Sequence, residues 1–281
     1  MTARHRPILI FGGAGQLGAT LHRYCGVAAT SLTRLECDVT DRDQVEQAIG
    51  ALRPSIVINT AAMTDVDACE TEPQRAGIIN AWAPGFIADV CRRNDAHFVQ
   101  ISTDFVFGGG AARHAEWSPT GPVNVYGQTK LAGEHAALAA NPSALIVRTA
   151  WLFSNLDTGF LRWVASAAEK PELEVLGDSI GSPSFAEDVA TATIWLAKRR
   201  VSGIVHVVSG GDPGTRAEMA DLALVSLGSQ CKVVPVTETE IRRPATRPEN
   251  SALDTSLLQH LGYPNMPTWR ERLEHLGKQS R

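Results

Sequence analysis

A glycine-rich turn near the start of the chain constrains the fold more than any other segment. A short apolar run, residues 7–11, leads into Gly12, Gly15 and Gly18, and a helix-forming stretch follows directly. Glycines permit a positive φ in a tight turn, let backbone amides approach a phosphate, and let the helix pack close to the strand. The helix N-terminus then directs its positive end toward the phosphates. The pattern predicts a dinucleotide-binding unit, although glycine turns after strands also occur for packing alone.

The rest of the first half alternates strand-like and helix-like segments. Strands are predicted at residues 27–32, 56–59, 97–102 and 145–148, and helices at 76–93, at 126–140 and after Asp41. Asp41 and Gln44 resemble a capping box, and Pro54 ends the helix that they begin. Such alternation predicts a parallel sheet with helices on both faces. A late apolar run, residues 204–208, is predicted to rejoin that sheet.

Composition narrows the classes of function. A net charge of -4, with 20% charged residues and no basic tract, gives no footprint for nucleic acid or for an anionic membrane. No apolar run is long enough to cross a bilayer. The five cysteines form no Cys-x-x-Cys pair, and the eight histidines show no metal-ligand spacing. We therefore expect a cytoplasmic protein that binds neither nucleic acid nor membrane and holds no metal.

Tyr126 and Lys130 lie four residues apart and therefore on one face of a predicted helix. A nearby ammonium favours the phenolate, so Lys130 is expected to lower the pKa of Tyr126 from its ordinary value of about 10. The pair indicates a nicotinamide-dependent carbonyl reductase when it follows a phosphate-binding glycine turn. The same spacing on its own is common by chance.

Several chemically suggestive segments follow predicted strands directly. The glycine turn follows the first strand, residues 61–64 follow the strand at 56–59, and Thr103 and Asp104 follow the strand at 97–102. Ligands of parallel α/β sheets bind outside the carboxyl ends of the strands. These segments are therefore predicted to meet in one crevice.

Nine segments carry a resemblance to a known family, and together they span nearly the whole chain. They are residues 12–18, 58–62, 64–67, 70–73, 102–107, 124–134, 148–151, 177–183 and 247–251. The chain resembles the dTDP-4-dehydrorhamnose reductases, a family of extended short-chain dehydrogenases/reductases. The resemblance implies an α/β fold with a Rossmann-type doubly wound parallel sheet and a smaller C-terminal substrate-binding lobe. We expect residues 1–150 and 186–209 to form the NAD(P)-binding domain, and 151–185 and 210–281 to form the lobe.

The resemblance also implies a catalytic set of Thr103, Tyr126 and Lys130. The implied reaction is hydride transfer from a reduced nicotinamide to the 4-keto group of a 6-deoxyhexose attached to dTDP. Tyr126 would donate a proton to the developing alkoxide, Lys130 would hold the nicotinamide ribose, and Thr103 would hydrogen-bond the carbonyl oxygen. A strand-end threonine that caps its own turn is the alternative for Thr103.

The expected cofactor is NADPH, with NADH as the alternative. Arg34 stands after the second strand, where NAD-specific sites usually present an acidic side chain, and an arginine accommodates the extra phosphate of NADP. The expected cofactor-binding residues are Gly12, Gly15, Gln16, Leu17, Gly18, Arg34, Asp38, Val39, Ala61, Ala62, Tyr126 and Lys130.

The dTDP-sugar is expected to contact residues from both halves of the chain. The expected set is Thr64, Val66, Thr103, Asp104, Trp151, Arg247 and Asn250, with Ser251 beside it. Arg247 belongs to a basic cluster, residues 242–248, and arginine suits bidentate phosphate contacts. The alternatives are a turn-forming role for Asp104, a core role for Trp151 and a solvated surface for the cluster.

Phe105 argues against the nearest rival reaction. Family members that dehydrate nucleotide sugars place an acidic pair after the threonine, and here Asp104 is followed by Phe105. Sugar epimerases and a non-catalytic, dinucleotide-binding regulatory subunit stay open as alternatives. The identity of the sugar also stays open, because the product could be dTDP-L-rhamnose or a related dTDP-deoxysugar. A homodimeric assembly stays open as well.

Overall fold

The computed structural model describes residues 6–155, 159–241 and 243–279. Arg242, part of the predicted basic cluster, lies outside the described residues. In the first part of the chain, strands and helices alternate: β1 (Ile8–Phe11), α1 (Gln16–Cys25), β2 (Ala29–Leu32), α2 (Arg42–Leu52), β3 (Ile56–Asn59), α3 (Val66–Thr71), α4 (Pro73–Gly77), α5 (Ala83–Arg93), β4 (His97–Thr103), α6 (Val125–Ala140) and β5 (Leu145–Thr149). The second part has shorter strands: β6 (Leu152–Phe153), α7 (Gly159–Ala165), β7 (Glu172–Leu176), β8 (Ile180–Gly181), β9 (Ser184–Phe185), α8 (Ala186–Lys198), β10 (Gly203–His206), β11 (Gly214–Thr215), α9 (Arg216–Leu227), β12 (Lys232–Val236), α10 (Glu238–Ile241), α11 (Ser256–His260) and α12 (Trp269–Gln279).

A six-stranded sheet in the order β2-β1-β3-β4-β5-β10 forms the centre of the protein, and all its strands are parallel. The strand order reverses between β1 and β3, which opens a crevice at their carboxyl ends. β10 pairs with β5, so the late strand rejoins the sheet as predicted. The α/β fold with a Rossmann-type parallel sheet is confirmed.

β1 is buried on both faces of the sheet. Ile8 and Ile10 belong to a core with α1 and α8, whereas Leu9 and Phe11 belong to a core with α2 and α5 on the other face. Because successive side chains of a strand point to opposite faces, a strand between two helical layers must be apolar throughout. This arrangement explains why residues 8–11 form an unbroken apolar run.

A third hydrophobic cluster lies away from the main sheet. It packs α7, α9 and α12 against β7 and β12, which pair with each other in parallel. Leu258 of α11 instead packs into the core of the main sheet, although residues 210–281 were predicted to belong to the lobe. The division into two domains stays a prediction.

The predicted helix at 76–93 contains an irregular turn. It consists of α4, a π-helical turn at Ile78–Trp82, and α5. Pro84 has no N–H to donate to the carbonyl of Asn80, which removes one α-helical hydrogen bond at this turn. The Asn80 side chain both donates to and accepts from the backbone of Met63, in the loop after β3. The turn therefore places Asn80 where it supports a loop at the carboxyl edge of the sheet.

The start of β2 and the cap of α2 differ in detail from the prediction. β2 begins at Ala29, because residues 26–28 form a 3-10 turn before it. Asp41 caps α2 as predicted, accepting from the backbone amides of Asp43 and Gln44. Gln44, however, accepts from the amide of Asp38, so the reciprocal half of the capping box is not formed.

A buried ion pair joins α6 to the sheet. Arg148 of β5 donates to both carboxylate oxygens of Glu134 at 2.9 and 2.7 Å, and both side chains are inaccessible to solvent or nearly so. Ser102 of β4 also donates to Glu134. The pair lies close to the carboxyl ends of β4 and β5, and it therefore fixes these strand ends relative to α6.

Arg148→Met should destabilise the protein by about 3–5 kcal/mol, because it leaves the Glu134 carboxylate buried without its partner. Urea denaturation of the parent, Arg148→Met, Glu134→Leu and the double variant would measure this cost. We expect the double variant to recover most of the lost free energy of unfolding, since it buries neither charge. A single variant as stable as the parent would contradict the role assigned to the pair.

Candidate active site

Three adjoining cavities open at the carboxyl edge of the sheet. The central cavity, of about 560 Å³, lies between the glycine turn and the ends of β4, β5 and α6. The loop cavity, of about 280 Å³, shares Gly15, Thr60 and Ala62 with it. The outer cavity, of about 640 Å³, lies on the side of the smaller cluster and shares Trp151 and Phe160 with the central one. The three cavities form a continuous path across the edge.

The glycine turn approaches its surroundings too closely for larger residues. Gly12 has a φ of 80°, and a Cβ on Gly18 would lie 2.3 Å from the carbonyl oxygen of Gly12. The same Cβ would lie 2.8 Å from the hydroxyl of Thr60. These contacts bring the first turn of α1 against the ends of β1 and β3. Backbone amides and the positive end of the helix therefore face the cavities, as a phosphate site requires.

Each predicted cofactor residue lines a cavity. Those that line the central cavity are Gly15, Gln16, Leu17, Gly18, Ala62, Tyr126 and Lys130. Those that line the loop cavity are Gly12, Gly15, Arg34, Asp38, Val39, Ala61 and Ala62. Arg34 donates to Asp38 through Nε at 3.2 Å, and 66% of its side chain is exposed. A second arginine that the sequence analysis missed, Arg75, lines the same cavity.

Thr103, Tyr126 and Lys130 all line the central cavity. Thr103 accepts from the amide of Phe105 at 3.2 Å and donates to Asp104 at 3.1 Å, so it caps its own turn while also facing the cavity. Tyr126 lies in the first turn of α6, which Asn124 caps by accepting from the amide of Gly127 at 2.8 Å. The structure therefore brings the predicted trio together from β4 and α6.

The electrostatics of Tyr126 differ from the expectation. Burial raises the pKa of Tyr126 above its ordinary value, the hydrogen bond with Thr103 lowers it in part, and the charge of Asp104 raises it further. Lys130 was expected to lower this pKa, but its ammonium donates to the carbonyl of Ile101 at 2.6 Å. Burial also lowers the pKa of Lys130, to about 8, with Glu134 opposing the shift. At neutral pH, Tyr126 is therefore protonated and Lys130 is mostly charged.

Asp104 is buried beside the trio. Ser251 and Thr103 both donate to its carboxylate, and only 2% of the residue is exposed. Burial raises the pKa of Asp104 to about 6, although these hydrogen bonds and the charge of Arg216 act in the opposite direction. The carboxylate thus orients the hydroxyl of Thr103 and is poorly solvated itself.

Trp151 packs against the protein interior and also lines two of the cavities. Its ring packs on Gly181, where a Cβ would lie 2.4 Å from the indole, and it contacts the cluster around Phe107. It also lines both the central and the outer cavity. The φ of Trp151 is 42°, a left-handed conformation that costs a bulky residue free energy.

Two further predicted substrate residues also line these cavities. Thr64 lines the central cavity, and Val66 lines both the central and the outer cavity.

Two predicted substrate residues already have partners in the protein. Arg247 lines the outer cavity, but it forms a bidentate ion pair with Asp67 of α3 at 2.7 and 2.8 Å. This hydrogen bonding holds the pKa of Asp67 below its ordinary value. Asn250 accepts from the amide of Ala252 at 3.0 Å and is not among the residues lining the three cavities. Both residues therefore have partners within the protein, and a phosphate or sugar contact for either stays a prediction.

Among the residues that line the outer cavity, the sequence analysis did not single out Phe160, Trp163 or Arg216. The capping box of Thr215 and Glu218, which begins α9 at Arg216, was the only local signal for any of them. That signal predicts a helix start and says nothing of a cavity.

The described residues contain neither a metal-ligand cluster nor a membrane-spanning helix. Among the described residues, no group of three or more His, Cys, Asp or Glu is placed to hold a metal ion. Within the same part of the chain, no helix combines the length and apolar character that crossing a bilayer requires.

Comparison with known proteins gives concordant matches. The family model described as the RmlD substrate binding domain matches residues 6–281. A dTDP-4-dehydrorhamnose reductase of Mycolicibacterium smegmatis is 36% identical over 277 residues, which cover 95% of this chain and 84% of that protein. A dTDP-4-dehydrorhamnose reductase of Streptomyces griseus is 35% identical, with 94% of this chain and 91% of that protein covered. The crystal structure of dTDP-4-dehydrorhamnose reductase from Bacillus anthracis in complex with NADP superimposes with a TM-score of 0.93 at 30% identity, covering 98% of this chain and 99% of that one.

Gly18→Ala should destabilise the protein by about 1–3 kcal/mol and weaken dinucleotide binding, because the new Cβ would overpack the turn. Gly50→Ala is the matched control: nothing lies within 4 Å of the Cβ position in α2, so about 0.5–1 kcal/mol of stabilisation is expected. Urea denaturation and a fluorescence titration with NADPH measure both effects. Equal affinity in the two variants would show that the close packing does not shape the phosphate site.

Asp104→Asn should become more stable relative to the parent as the pH rises. The folded-state pKa of Asp104 is raised from 3.8 to about 6, so the folded protein binds the proton more tightly and the parent loses stability across this interval. The relative gain of the variant should be about 2 kcal/mol between about pH 4.5 and about pH 7.5. Urea denaturation of both proteins at the two pH values tests the sign, which a pH-independent difference would contradict.

Proposed function

The chain belongs to the RmlD substrate binding domain family, and from this membership we propose that it is an NADPH-dependent reductase of the 4-keto group of a dTDP-4-dehydro-6-deoxysugar. One observation carries the proposal. Thr103, Tyr126 and Lys130 line a single cavity that continues into the glycine turn on one side and into the outer cavity on the other. A dinucleotide and a nucleotide sugar can therefore meet at the trio from opposite sides.

The residues around the glycine turn fit a dinucleotide. The turn leaves no room for a Cβ at Gly12 or Gly18, so backbone alone faces the phosphate position. Arg34 and Arg75 line the loop cavity, where a cationic side chain suits the extra phosphate of NADP. The bound nicotinamide would supply the hydride that reduces the carbonyl carbon. We keep NADPH as the favoured cofactor.

The trio then divides the remaining work of the reduction. Tyr126, held protonated by burial, donates its proton to the oxygen of the substrate as negative charge develops there. Thr103 has a single O–H, which donates to Asp104 here, so it hydrogen-bonds the substrate oxygen only after that hydroxyl rotates toward it. The buried Lys130 lines the same cavity and would hold the ribose hydroxyls of the bound cofactor. A raised pKa suits Tyr126 to this direction of reaction, since reduction needs a proton donor.

The acidic groups of the cavity favour reduction over elimination of water. Elimination needs both a proton donor and a base beside the sugar, and of the two positions after Thr103 only Asp104 is acidic. Phe105 packs edge-on against the ring of Tyr126, with centroids 5.7 Å apart. It fills the position where the second carboxylate would be needed.

The remaining expectations concern the setting of the enzyme. We propose that it works in the cytoplasm, where its free thiols, four of them buried, stay reduced. The smaller cluster around α7, α9 and α12 is proposed as the core of the substrate lobe. A homodimer stays a prediction.

The direct test is the stoichiometric loss of NADPH absorbance when the purified protein meets enzymatically generated dTDP-4-keto-6-deoxy-L-mannose. An epimerase would interconvert sugars without consuming an external reductant. A regulatory subunit would bind NADPH without turnover. Either result would overturn the proposal.

Tyr126→Phe should reduce kcat by about 10²- to 10⁴-fold, because it removes the proton donor. Its NADPH affinity should be nearly unchanged, since the ring and Lys130 stay in place. Tyr263→Phe is the matched control, because Tyr263 packs on Trp195 away from the three cavities. Steady-state kinetics and an NADPH titration of both variants measure the difference. Retained turnover in Tyr126→Phe would exclude the phenol as the proton donor.

A further inference from the structure

Arg216 occupies the junction between the central and the outer cavity. Five described residues line both cavities, and Arg216 is the charged one among them. Its guanidinium lies 4.1 Å from the centroid of the Trp151 ring and 4.8 Å from that of Phe160. Stacking of this kind holds a guanidinium in a fixed orientation while its N–H groups stay available at the edge.

The donors of Arg216 have no anionic partner within the described part of the chain. Other arginines near the site are committed: Arg247 pairs with Asp67, and Arg148 pairs with Glu134. The charge of Asp104 raises the pKa of Arg216, but the Asp104 carboxylate accepts side-chain hydrogen bonds from Ser251 and Thr103 and forms no ion pair with Arg216. Burial lowers the pKa of Arg216 to about 10, which leaves it cationic at neutral pH.

A desolvated cation without a counterion is costly, so such a site favours an anionic ligand. In a pyranose, C4 and C1 lie on opposite sides of the ring. A sugar whose C4 carbonyl meets Tyr126 therefore directs the group on C1 away from the trio, toward the outer cavity. For a nucleotide sugar that group is a diphosphate, whose oxygens match the planar fork of an arginine.

We propose that Arg216 binds the diphosphate of the nucleotide-sugar substrate and so selects nucleoside-diphosphate-linked sugars. The assignment rests on the proposed function for the identity of the sugar, but the anion site itself does not. Arg216 anchors the substrate at the junction, while Arg247 braces the loop after α10 against α3. Arg243 is exposed at the rim of the outer cavity and makes a weaker, solvated contribution.

Isothermal titration of dTDP and of thymidine separates phosphate recognition from base recognition. Arg216→Met should weaken dTDP binding by about 10- to 100-fold and leave thymidine binding unchanged. Arg216→Lys should fall between, since it keeps the charge and loses the planar fork. Arg270→Met is the matched control, because Arg270 also lies 4.1 Å over an indole, that of Trp269, but lines none of the three cavities. It should bind dTDP as the parent does.

Several outcomes would overturn the assignment of Arg216. Unchanged dTDP affinity in Arg216→Met, or an equal loss of dTDP and thymidine, would exclude a phosphate-specific contact. A larger loss in Arg243→Met than in Arg216→Met would place the anchor at the rim. Should Arg216→Met fail to fold, the Arg216→Lys titration decides, because parental dTDP affinity there excludes fork recognition. A parent that binds dTDP through Arg216 yet fails to reduce the 4-keto sugar would retain the anion site and refute only the proposed reductase.

Discussion

The site depends on one close contact between the end of β1 and the first turn of α1. Gly18 approaches the carbonyl of Gly12 so closely that no side chain fits between them. Thr60 completes the contact from β3 by donating to the carbonyl of Phe11 at 2.7 Å. The helix N-terminus is thereby fixed where the strand order reverses, and the ends of β3, β4 and β5 open onto the same space. Phosphate recognition and the trio on β4 and α6 share one crevice for this reason.

Around this space the protein keeps several charged side chains out of water, and their partners distinguish their roles. Glu134 and Arg148 satisfy each other and hold α6 to the sheet. Lys130 donates to a backbone carbonyl, and Asp104 accepts from two hydroxyls. Burial lowers the pKa of Lys130 and raises the pKa of Asp104, which favours the neutral form of each. Arg216 has aromatic rings and no anion among the described residues. Buried side chains that are ion-paired hold helices and strands together, whereas those without a full ion pair face the cavities where chemistry and binding are proposed.

Much of the fold could be predicted because its signals are local. Apolar runs, the glycine turn, the Asp41 cap and Pro54 each act within a few residues, and the strands at 56–59 and 97–102 were predicted to within one residue. The trio was predicted because Tyr126 and Lys130 share a helical face and Thr103 follows a strand. The π-helical turn before α5 was not predicted, since it depends on Asn80 reaching the backbone of Met63 as well as on Pro84.

Other features required the tertiary structure, because they depend on residues far apart in sequence. The partner of Arg247 is Asp67, 180 residues away, and no local pattern in the sequence predicts that pairing. The pKa of Tyr126 rises because burial outweighs the hydrogen bond with Thr103, and burial is a property of the folded protein alone. Arg216 has no signal in sequence except a helix cap. The sequence by itself determined the alternating sheet, the dinucleotide turn and the identity of the trio, because short-range patterns encode them. Only the tertiary structure decided which charges are already paired and which face the cavities, because pairing and desolvation arise from long-range packing.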